Sequence, residues 1–254
     1  MSTLLQNLSS ISKLVLLISY IWLCWISLHR LQEKKSDIAS SLAKGITFFT
    51  IAIFCQLTGI LFEINEIPVN MYQFAGYFMI ISVFYTYRFS NQLNRSSAQP
   101  MINERTAIIL AIGIILFGII KSVASFQPIT EIGTFFYMLE IYVMVYSVIF
   151  ISPLIQIAVQ DQTKIKYENP ATYKRIQDMK WVGVLWILVN LFLCIENVMK
   201  AYSIADQGVW ILSIFYGGSL MALVNSAFYR RENISPNGKP VLIVGYSPYL
   251  KNIK

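Results

Sequence analysis

The sequence predicts an all-α integral membrane protein, a bundle of seven transmembrane helices, and three observations carry that prediction. The 254-residue chain is 56% apolar and only 13% charged, whereas a water-soluble domain carries about a quarter charged residues. Its apolar residues gather into seven stretches, each close to the roughly 20 residues a helix needs to cross a bilayer core. The basic residues crowd into alternate connectors between those stretches, as cytoplasmic loops require.

The first span is Ile11 to Leu28. The N-terminus before it is not basic, and no small-residue cleavage signature precedes the cationic flank of Arg30, Lys34 and Lys35. It is therefore expected to stay as a helix and not to be removed as a signal peptide. The second span, Leu42 to Phe62, and the third, Val69 to Tyr87, are separated by Glu-Ile-Pro at Pro68. Asn-Arg-Ser-Ser-Ala-Gln-Pro, ending at Pro100, precedes the fourth, Thr106 to Phe126, and Gln-Pro at Pro128 precedes the fifth, Gly133 to Ile157. A long polar connector containing Pro170 leads to the sixth, Trp181 to Tyr202, and the seventh runs from Val209 to Phe228. The transmembrane domain is thus 1–230. The remaining 231–254 form a short tail with a Ser-Pro-Asn-Gly turn at Ser235 to Gly238 and an apolar run, Val241 to Val244. Such a tail is too small for a catalytic domain.

Of the 20 Lys and Arg residues, Lys13, Lys121 and Lys200 fall on one side, beside Glu63, Glu66, Glu131 and Asp206, leaving 17 on the other. The positive-inside rule then places the N-terminus outside and the C-terminus in the cytoplasm, as a multi-pass protein of the cell membrane. An even number of spans would put the basic tail on the acidic side, so the asymmetry supports the odd count too. The net charge of +7 sits in short membrane-flanking runs and forms no continuous basic face, so no nucleic-acid partner is expected.

Several chemistries are excluded. His29 is the lone histidine, too few ligands for a bis-histidine haem or a zinc centre. Cys24, Cys55 and Cys194 lie within apolar stretches and read as free thiols. No nucleophile elbow, Gly-rich phosphate loop or metal-ligand pair occurs, so no enzyme is expected. Seven helices with an outside N-terminus is also the topology of rhodopsin-like proteins, yet 209–228 contains no lysine to hold retinal. Tyr-Thr-Tyr-Arg, Tyr85 to Arg88, only faintly resembles the acidic-Arg-Tyr signature of G-protein-coupled receptors, because the acidic residue is missing. Small sugar transporters of the SWEET type carry Pro-Gln signatures, but Pro153 is followed by leucine. The expectation is an architecture without a family.

Ionisable groups inside a span are costly and mark candidate sites. Glu140 leads, near the midplane of the fifth span, with Tyr137 three residues earlier on the same face. Glu196 and Lys200 are spaced for an intrahelical pair, Asn190 lies deeper as interhelical glue, and Lys121 sits where it can snorkel. Gln56, Gln73 and Asn197 join them in the outer half, while the inner half reads as aliphatic and aromatic. Together they predict a polar cavity open to the outside, whose carboxylates and rings suit a cationic or amine-bearing small molecule. Trp181, Trp186, Tyr85 and Tyr87 read as an interfacial belt. Ala107, Ala111 and Gly118 form a small-residue face for close packing within the chain or in a homodimer.

Three functional readings follow. The first is a receptor or sensory module with an outward-facing ligand site, signalling to a cytoplasmic partner at the 160–180 connector. The second is a small-solute or proton-coupled transporter with Glu140 as the protonated group. The third is a structural subunit of a membrane complex.

Overall fold

The structure, a computed structural model, describes residues 2–33, 36–64, 71–93, 103–124, 139–159 and 170–201, with residues 217, 218, 222 and 224 as isolated helical positions. Among these residues it is all-helical, with no strand: α1 (Ser2–Glu33), α2 (Asp37–Ile64), α3 (Met71–Leu93), α4 (Glu104–Ala124), α5 (Leu139–Val159) and α6 (Pro170–Ala201). The first six predicted spans each overlap one of these helices. Only isolated positions of the seventh, and none of the tail after Phe228, fall within the described residues.

Local chemistry sets the helix starts. The Ser36 hydroxyl accepts from the Ala39 amide at 3.2 Å, and its carbonyl takes the first helical bond from Ser40 at 2.9 Å. That caps α2, and Asp37 in its first turn complements the helix dipole. Asn103 does the same for α4, its side-chain oxygen accepting from the Arg105 amide, with Glu104 in the first turn. Pro170 opens α6, a position where its missing N–H costs nothing. The second half of the expected polar connector is therefore helical. Polarity alone did not end that helix, because Thr172, Lys174 and Arg175 are no helix breakers.

Helices α2 and α3 pack antiparallel and most closely. Gly45 lies against Ser82 and Thr86, and Ser82 Oγ donates to the Gly45 carbonyl at 2.7 Å. At the other end Gly59 lies against the Tyr72 ring. Helix α1 runs along α2 through Tyr20 on Phe49 and Cys24 Sγ against Thr47 Oγ1 at 3.3 Å. Helix α5 follows α3, with Leu139 against Gly76 and Phe150 edge-on to Tyr87 at 5.0 Å. Helix α6 packs on α5 and meets α2 where Trp186 stands edge-on to Phe49 at 6.1 Å. Helix α4 leans on α3 and α5. Its small-residue face is occupied within the chain: Tyr77 lies against Gly118, and the Tyr146 hydroxyl donates to the Ala107 carbonyl at 3.1 Å.

The outer faces are more apolar than those of a water-soluble bundle. The outer faces of α1, α4 and α5 expose large apolar side chains, among them Ile18, Trp22 and Trp25, Ile109, Leu116 and Ile120, and Val145 and Ile149. Inside, Ser27, Ser41, Ser82, Thr86, Ser90 and Ser147 are buried. Among the buried aliphatic and aromatic side chains of the basic end sit these small hydroxyls. They escape a sequence reading because small hydroxyls satisfy themselves: Ser27, Thr86, Ser90 and Ser147 each donate to the carbonyl one turn back. One stretch among the described residues, Asp37–Gly59 in α2, is long and apolar enough to cross a membrane. Shorter apolar stretches are Leu14–His29, Ile141–Pro153 and Lys180–Phe192.

Candidate functional site

On α1 the buried positions Leu16, Tyr20, Leu23 and Ser27 recur at helical spacing, and on α2 Phe49, Ile53 and Gln56 do the same. On α6, Trp186 and Asn190 share a face one turn apart. The three stripes converge on Phe49. The Tyr20 ring packs at 4.8 Å on one side of it and the Trp186 ring at 6.1 Å on another. Thr50 fastens the arrangement by donating to the carbonyls of Ile46, at 2.9 Å in its own helix, and of Tyr20, at 3.3 Å in α1.

The same three stripes carry four polar atoms sealed from solvent with no hydrogen-bond partner: Tyr20 Oη, Gln56 Oε1, Trp186 Nε1 and Asn190 Oδ1. Their residues are only 1–2% exposed. Asn190 uses its amide nitrogen on the Trp186 carbonyl at 2.8 Å, which leaves its oxygen unused. Helical rise puts Asn190 about 6 Å from Trp186 along α6 and Gln56 about 10 Å from Phe49 along α2. An unsatisfied buried polar atom costs about 1–3 kcal/mol, so several such atoms in adjoining helices form the least satisfied region of the described core. A fifth, Gln92 Oε1, lies at the basic end of α3. The set holds two acceptor-only amide oxygens, one donor-only indole and one phenol able to do either.

Two of the sequence-predicted site residues, Gln56 and Asn190, belong to this group. Both are buried within the core. Gln73 is separate: its amide nitrogen donates to the Tyr77 hydroxyl at 2.7 Å and to the Gly118 carbonyl, tying α3 to α4. Lys121, Glu140 and Glu196 lie on α4, α5 and α6, but their side chains fall outside the described residues, as does Tyr137 entirely. The backbone of Glu140 follows Leu139, which packs on Gly76 of α3.

Tyr20 and Trp186 were not legible as site residues. Trp186 was read as part of an interfacial belt, but only its neighbour Trp181 is exposed, at 52% against 2%. The signal for Tyr20 was its spacing with Leu16, Leu23 and Ser27, opposite the exposed Trp22 and Trp25. Tyr87, likewise read as belt, is buried against Phe150.

None of the three cysteines forms a disulfide. Among the described residues no group of three or more His, Cys, Asp or Glu could hold a metal ion. No protein-family model, curated protein or solved structure matches the chain.

Proposed function

We propose that this chain is a seven-helix protein of the cell membrane, N-terminus outside and C-terminus in the cytoplasm, acting as a receptor or sensory module. The membrane half of the proposal is supported by the large aliphatic side chains on the outer faces and by the 17 basic residues on one side. In lipid, outward Ile and Leu cost nothing, and every buried hydroxyl must find a partner within the bundle.

The receptor half rests on one observation, the four buried polar atoms without partners that α1, α2 and α6 carry on the stripes meeting at Phe49. In a seven-span arrangement α2 and α6 run in the same sense, so Gln56 and Asn190 both lie toward the outer end. A ligand entering from outside would supply the missing partners by separating α6 from α1 and α2, and α6 continues to Pro170 at the cytoplasmic connector. Such a ligand shifts the population only if it prefers the separated arrangement. The inner half, packed by Leu42, Tyr87, Phe89 and Phe150, favours a one-sided site over a transport pathway.

Thermal-shift screening of the purified protein against small uncharged and amine-bearing solutes should find a stabilising ligand whose effect disappears in Asn190→Leu. Uptake of that solute into proteoliposomes would favour transport instead. A protein that no solute stabilises through Asn190 would favour a structural subunit.

A further inference from the structure

The outer surface of the α2–α3 seam carries a second constellation, apart from the core group. Lys44 lies near the start of α2, exposed, with its ammonium 5.5 Å from the centroid of the Tyr85 ring of α3. One turn further along α2, Phe48 stacks on that same ring at 5.6 Å with only 3° between the planes. On its other side Phe48 stacks on Phe78 of α3 at 6.2 Å and 15°. All three rings are half-buried, so part of each is open to the outside of the bundle. In the same seam Gly45 lets the two backbones close at Ser82 and Thr86.

The result is a strip of stacked rings along the seam that ends in a cation. The cation has no carboxylate partner among the described residues; Glu104 of α4 pairs with Arg88 at 3.3 Å. The ring beneath the ammonium holds it in place and lowers the entropy lost on binding an anion. An ammonium offers three donors to phosphate oxygens, and the apolar strip continuous with it matches an acyl chain. A free phosphate would use the cation but leave the strip idle.

We propose that Lys44 and the Phe78–Phe48–Tyr85 strip hold one anionic phospholipid of the cytoplasmic leaflet, headgroup on Lys44 and acyl chain along the rings. This rests on the membrane reading above, which places Lys44 at the inner interface, where anionic lipids are concentrated.

The test uses the full chain in nanodiscs of mixed phosphatidylcholine and phosphatidylglycerol, with retained lipid counted by native mass spectrometry. The wild type should retain phosphatidylglycerol in preference to phosphatidylcholine. Lys44→Gln should lower that preference about fivefold, Lys44→Arg should keep it, and Lys174→Gln, an equal change of net charge elsewhere, should leave it unchanged. Equal preference in the wild type and Lys44→Gln, or an equal loss in Lys174→Gln, overturns the site while leaving the membrane reading intact. Release of the wild type from native membranes by alkaline carbonate overturns both.

Discussion

Gln56 and Asn190 each keep a carbonyl oxygen buried and unpaired, and that has a direct consequence for stability. Replacing either with leucine removes the orphan and adds apolar contact. Asn190→Leu also loses the bond to the Trp186 carbonyl, but that carbonyl retains the backbone amide of its own helix. Each substitution should therefore raise the free energy of unfolding by about 1 kcal/mol, read from SDS titration of the purified protein. A loss of more than that amount in both variants would mean the oxygens are satisfied and the site reading is wrong. Stability gained at the expense of ligand response is the usual signature of a functional site. These two residues were legible because an amide stands out in an apolar stretch. Tyr20 and Trp186 were not, because whether an aromatic ring turns to lipid or to the core depends on which helix packs opposite.

Within α5, Pro153 has no amide to give the Ile149 carbonyl, and the hydroxyl of Ser152 donates to that carbonyl at 2.9 Å instead. Because this bond lies on the outer face, its worth depends on the solvent. Water would replace it freely; lipid cannot. Ser152→Ala should cost about 1 kcal/mol in the wild type and close to nothing in a Pro153→Ala background, where an amide returns. A double-mutant cycle in lipid nanodiscs measures that difference, and equal costs in the two backgrounds would remove the compensation. Helix α4 is held differently, by close approach: a Cβ on Gly118 would stand 2.7 Å from Tyr77 Cε1. Gly118→Leu must push α4 off α3 and should cost about 1–3 kcal/mol, seen as a lower thermal midpoint. The existence of both helices was plain from hydropathy. The end of the polar connector was not: α6 starts at Pro170, whereas an apolar window starts it at Trp181, because a helix outside the bilayer needs no apolar side chains.

For the whole chain, charge alone carries the proposed direction, since basic residues gather in connectors whatever the helices do between them. What no hydropathy pattern supplies is neighbour identity, which here depends on small residues such as Gly45, Gly76 and Gly118 choosing which rings they admit. Direction has a decisive measurement. Cys55 and Cys194 are buried and Cys24 is half-buried against Thr47, so alanine at these positions gives a quiet background for single introduced cysteines. Ser2→Cys and Glu66→Cys should react with a membrane-impermeant maleimide in intact cells. Ser97→Cys, Thr163→Cys and Asn252→Cys should react only after permeabilisation. The tail position separates an odd from an even number of spans: Asn252→Cys labelled from outside, with Ser97→Cys still protected, would leave an even number of crossings and take the seventh helix out of the membrane. Labelling of Ser97→Cys from outside with Glu66→Cys protected would reverse the bundle, and would move Gln56 and Asn190 to the cytoplasmic half, where an external ligand has no access to them.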